Sequence, residues 1–185
     1  MSDPEPILTL EPVLEAVREG LVARGWELSG LQKTTSYEFE GRWAGDSSRS
    51  AYLFFHSSKV PDWVSLDVFL DETSRGLRGN LALVVDGPTL SEVQDPGAVM
   101  ARLASVVGRA LPEGYRTPMT LRYRMQDLDQ EPTDSDTEFR FKLYIPGKAL
   151  RAGHSAVAAL ATSVASAFRS ILRAPELEYL LLTPE

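Results

Sequence analysis

Apolar residues first recur at helical spacing. Leu10, Leu14, Val17 and Leu21 form one stripe, widened by Val13 and Val22. Pro12 suits a first helical turn, where its missing N–H costs nothing. Gly25 is placed to end the helix in a left-handed conformation with Trp26 packing back on it, so the pattern predicts a helix over 10–24.

The period then shortens to two. Tyr37, Phe39 and Trp43 alternate with Glu38, Glu40 and Arg42, and Leu53 and Phe55 interleave with Tyr52, Phe54 and His56. Val64, Leu66, Val68 and Leu70 alternate with Ser65, Asp67 and Phe69, and Leu77, Leu81, Leu83 and Val85 share a face opposite Arg78 and Asn80. Such alternation predicts four half-buried strands, and the short turn-rich joins between them favour an antiparallel meander. A second helix is expected after Asp95 and Pro96, with Val99, Leu103, Val106, Val107 and Ala110 buried. Two more strands, 119–125 and 138–145, precede an Ala-rich helix over about 150–172. Its apolar face is Val157, Leu160, Val164, Phe168 and Ile171, and residues 177–182 form a last short strand or a packed turn.

No linker or repeat divides the chain. The expectation is an α+β domain over residues 10–185, an antiparallel sheet with helices packed on it in the order α-β-β-β-β-α-β-β-α, after a disordered lead at 1–9.

Composition narrows the chemistry. With no cysteine among 185 residues, disulfides, thiolate zinc sites, iron–sulfur clusters and cysteine nucleophiles are excluded. Only His56 and His154 are present, too few for a histidine-rich metal site. A net charge of −7 argues against bulk nucleic-acid binding. The acidic, proline-bearing start lacks the pattern of a secretory signal, and no stretch reads as a membrane span, so a cytoplasmic location without membrane association is expected. Neither a cofactor nor a metal is expected.

Two features show organised charge. Asp127, Asp129, Glu131, Asp134 and Asp136 form an acidic loop that runs to Glu138 without a base. Asp127, Asp129, Glu131 and Glu138 fall at the ligand spacings of a calcium loop, but Pro132 occupies the place where that loop needs a glycine. The expectation is a solvated hairpin loop. On the strands either side, Met119, Leu121, Tyr123 and Met125 pair with Phe139, Phe141, Leu143 and Ile145 as core residues. Arg122, Arg124, Arg140 and Lys142 then share the outward face. These cations are either neutralised by the acidic loop or form a docking surface for an acidic polypeptide or phosphate-bearing ligand.

Gly153-His154-Ser155-Ala156-Val157 begins like a hydrolase nucleophile elbow but lacks the second glycine and the preceding strand. The small residues Ala156, Ala159, Ser163, Ser166, Ala167 and Ser170 let the last helix approach another backbone closely, either within its own domain or in a second subunit.

This order of elements resembles the type III secretion chaperone-like fold shared by YbjN-like proteins, with one extra strand in the first run. The resemblance is one of topology, covers Leu10 to Leu172, and implies a dimeric binding module without catalytic residues. The expected function is therefore a non-enzymatic module, homodimeric, docking a polypeptide through Arg122, Arg124, Arg140 and Lys142. Two alternatives stand beside it. One is an enzyme or small-ligand protein gathering His56, Asp67 or His154; the other is an inhibitor of a basic enzyme acting through the acidic loop.

Overall fold

A computed structural model describes residues 5–35, 49–60, 62, 64–73, 75–86, 101, 105–106, 108–110, 120–122 and 138–175. Helix α1 (Leu10–Val22) leads into strands β1 (Glu27–Thr35), β2 (Arg49–His56), β3 (Val64–Thr73) and β4 (Gly76–Asp86). Strands β5 (Thr120–Arg122) and β6 (Glu138–Tyr144) follow, then helices α2 (Gly147–Ala152) and α3 (His154–Leu172). Between β4 and β5, Ala101, Ser105, Val106 and Gly108–Ala110 are helical, and Val106 is buried in the core as its spacing predicts.

The architecture is α+β. The sheet has the order β1-β2-β3-β4-β6-β5, and every neighbouring pair is antiparallel. The meander over β1–β4 is as expected, but its first strand is not. Glu27–Thr35 forms β1, which no alternation announces, whereas the expected strand at 37–43 lies outside the described residues. Leu31 and Lys33 take the helix-side positions of this edge strand and stay exposed, so selection for apolar residues is weak there.

Elsewhere the two-residue period holds. Leu53 and Phe55, Leu66, Val68 and Leu70, Leu81 and Leu83, and Phe141 and Leu143 turn one face toward the helices and are essentially inaccessible. Strand β4 departs from the pattern, because Asn80, Ala82 and Val84 on its other face are also buried. Within the expected lead, residues 5–9 are described. Ile7 is in the core and its N–H donates to the Leu150 carbonyl at 2.8 Å.

The expected helix over 150–172 is broken. Gly153, at φ 93°, separates α2 from α3, a conformation open to glycine at little cost. Ser155 stands exposed in the first turn of α3 behind a helix and a glycine, which removes the strand that a nucleophile elbow requires. Helix α3 is long and apolar enough by composition to cross a membrane, contrary to the sequence reading, yet here Val157, Leu160, Val164, Phe168 and Ile171 are buried in the core.

The close seat against α1 is made by Ala158, Ala161 and Thr162, none of them in the expected set of small residues. A Cβ on Gly20 would overlap the Ala158 carbonyl oxygen and lie 2.8 Å from Ala161 Cβ, so only glycine lets the helices approach this closely. Thr162 Oγ1 donates to the Gly20 carbonyl at 3.2 Å, and the Arg169 guanidinium donates to the Arg24 carbonyl past the end of α1. At the other end of α1, Glu72 of β3 accepts the Leu10 N–H at 2.6 Å, supplying the cap that Thr9 does not. Arg49 holds this carboxylate at 2.7 Å and reaches Glu11 with two bonds of 2.6 and 3.1 Å.

Two outcomes follow from these contacts. Alanine normally gains about 1 kcal/mol over glycine inside a helix. Gly20→Ala is expected instead to lose about 1–3 kcal/mol through overpacking, read as a lower Tm; a raised Tm would contradict the close seat. The Arg49 hydrogen bond, reinforced by the backbone, holds the Glu11 carboxyl below the usual glutamate range. Its stabilisation is therefore complete above the unfolded pKa of about 4.3 and disappears as pH falls through the lowered folded value. Denaturant titrations over this acid range are expected to show a shallower loss of stability for Arg49→Gln than for the wild type, and identical slopes would refute the coupling.

Candidate functional site

Because β2, β3 and β6 bury one set of alternate residues, the other set is committed to the outer face. Register arranges that face in rows running across the strands. Tyr52, Phe69, Asn80 and Tyr144 form one row, and Phe54, Asp67, Ala82 and Lys142 form the next. Arg140 follows beside Val84. Together Tyr52, Phe54, Asp67, Phe69, Asn80, Arg140 and Lys142 line a concavity of about 330 Å³.

The floor is low because β4 contributes a small residue at its middle. Ala82 lies by register between Asp67 and Lys142, and its methyl leaves room for Arg140 to reach diagonally over β4 to Asp67. That ion pair measures 3.3 Å, with side chains 25% and 14% exposed, and Ser65 Oγ donates to the same carboxylate at 3.0 Å. Asp67 and Arg140 are both otherwise engaged as well.

The neighbours differ. Lys142 is half-buried and makes no ion pair or hydrogen bond with any described residue. Asn80 is 8% exposed, lines the floor, and its amide likewise has no partner among the described residues. On the wall, the Tyr52 and Phe69 rings lie 4.8 Å apart at 41°, and Tyr52, Phe54 and Tyr144 remain 41%, 39% and 46% exposed. Large apolar groups thus stand in solvent beside a cation and an amide that have no partner among the described residues.

Of the four cations expected on this face, Arg140 and Lys142 line the concavity. Arg122 pairs with Arg140 in the backbone register of β5 and β6, and Arg124 lies outside the described residues. Neutralisation of Arg140 comes at least in part from Asp67 on β3, a partner that the sequence reading did not assign. The acidic loop carrying Asp127, Asp129, Glu131, Asp134 and Asp136, and the inhibitor reading that rests on it, lie outside the described residues. The aromatic residues were not anticipated as site residues, although their alternation in β2 and β3 placed them outward.

His56 is beside Asp62 at 3.6 Å, His154 bonds Glu19 on α1 at 2.6 Å, and Asp67 lies in the concavity. These groups form three separate pairs and do not assemble one reacting centre. Among the described residues, no group of three or more His, Asp or Glu is placed to hold a metal ion. At the far end of the outer face Asp71 is fully engaged, accepting from Ser50 at 2.8 Å and from Arg78 at 2.8 Å.

No family model, curated protein or solved structure matches this chain.

The Asp67–Arg140 bridge is expected to support the concavity. Asp67→Asn and Arg140→Gln should each lower stability by about 1–3 kcal/mol, because each leaves a partly buried partner uncompensated. In a double-mutant cycle by urea denaturation the two losses should couple by about 0.5 kcal/mol or more. Simple additivity would show that the bridge does not support the floor.

Proposed function

We propose that this protein is a non-enzymatic binding module that docks a polypeptide partner on the outer face of its sheet. The observation that carries the reading is the juxtaposition of solvent-facing Tyr52 and Phe54 with Lys142, which has no counter-ion among the described residues, around one concavity. Exposed aromatic residues are enriched at interfaces, and on a chain of net charge −7 a local basic group selects for an acidic ligand. The expected cation set contributes Arg140 and Lys142, with Arg140 acting from its bridge to Asp67. The chaperone-like resemblance in element order agrees with such a module in the cytoplasm. In this reading a homodimer uses another surface, because a two-fold axis through the concavity would set Lys142 and Arg140 against their own copies.

Site-specific photo-crosslinking tests the assignment. A crosslinker at Tyr52 or Phe54 is expected to capture one defined protein in cells, while the same group at exposed Ser155 on the helix layer captures none of it. Lys142→Glu should abolish the product without lowering Tm. Capture from position 155 alone, or equal capture from both faces, would overturn the proposal.

A further inference from the structure

The concavity carries information about what it binds, beyond the fact of binding. Lys142 offers one ammonium without a counter-ion among the described residues, Asn80 offers an amide that both donates and accepts, and Tyr52, Phe54 and Phe69 offer an aromatic wall. Asn80 is the most informative of these. Its residue is 92% buried by its 8% exposure, yet its amide faces the concavity with no hydrogen-bond partner among the described residues. The amide borders the open concavity, where it can both donate to and accept from a bound group.

Spacing sets the rest. Phe54 stands on β2 and Lys142 on β6, with β3 and β4 between them, so they are separated by three inter-strand steps or about 14 Å. An extended chain advances about 3.4 Å per residue, so residues i and i+4 lie about 13.5 Å apart and point to the same side. An extended segment crossing the strands would therefore place a carboxylate at Lys142 and a large apolar side chain at Phe54 when these are four positions apart. The intervening peptide units then pass over Asp67 and Ala82, one row away from Asn80. Beyond Lys142 the sheet continues into β5, with Thr120 in register, so the segment has a surface to run on past this point. That favours a side-chain carboxylate within a passing segment over a terminal carboxylate.

Resting on the docking role proposed above, we infer that the partner segment is an extended stretch of polypeptide with an Asp or Glu and a large apolar residue four positions apart. The acid pairs with Lys142, and the apolar side chain packs on Tyr52 and Phe54.

Fluorescence anisotropy with short acetylated and amidated peptides tests this on the full chain. Each peptide carries one Glu and one Phe at positions i and i+2, i+4 or i+6. The i+4 peptides are expected to bind most tightly, in one or both chain directions, and Glu→Gln within them to weaken binding by about tenfold or more. Lys142→Gln should remove the preference for Glu over Gln, and Lys142→Arg should retain it. Equal affinity at every spacing, or a Glu preference that survives Lys142→Gln, would overturn the inference. So would binding only by peptides with a free terminal carboxylate, equal binding by a small arylalkyl carboxylate, or competition from self-association of the chain. If positions 52 and 54 still crosslink one defined protein while peptide binding ignores spacing and charge, the segment chemistry is wrong and the docking face stands. Failure of both removes both.

Discussion

The two-residue period of the central strands is the constraint from which the rest of this molecule follows. Strands β2, β3 and β6 must place Leu53 and Phe55, Leu66 and Val68, and Phe141 and Leu143 beneath the helices, because burying those side chains drives the layers together. A strand that commits alternate residues inward commits the others outward, and a slip of one residue would invert both sets. Tyr52, Phe54, Asp67, Phe69, Arg140 and Lys142 are therefore held on the outer face in fixed rows by residues that they do not touch. Helix packing reinforces the arrangement. The Gly20 seat brings α1 against α3, and the Glu72 cap ties the start of α1 to the end of β3.

Much of this was legible in the sequence, and the parts that were not have physical reasons. Helix α1, the phases of β2, β3 and β6, and the left-handed Gly25 at φ 82° follow from local pattern alone. Strand β1 left no such trace, because the helices leave Leu31 and Lys33 uncovered. The break at Gly153 was hidden because the Leu150 and Val157 positions fit one continuous helical stripe on either side of it. Gly20 carries no signal of its own in the sequence. Its function as a packing seat depends on Ala158 and Ala161, which are distant in sequence.

The candidate site was half legible for the same reason. Alternation alone put Arg140 and Lys142 on the outer face. The depth of the concavity depends on Ala82, an unremarked small residue, lying between Asp67 and Lys142 across two strand pairings. Charge pattern suggested four equivalent cations, whereas the fold distinguishes them. Arg140 spans β4 to Asp67, while Lys142 is left facing the concavity without a counter-ion among the described residues. Function on this surface thus depends on which neighbours the register brings beside each charge.

The central claim is that binding occurs on the outer sheet face over β4, away from the helix layer. Alanine-methyl NMR tests it most directly, since Ala82 reports on the concavity and Ala161 on the α1–α3 seam. On titration with a Glu/Phe peptide of i, i+4 spacing, the account predicts a saturable shift of the Ala82 methyl with Ala161 unmoved. A shift at Ala161 with Ala82 silent would contradict it.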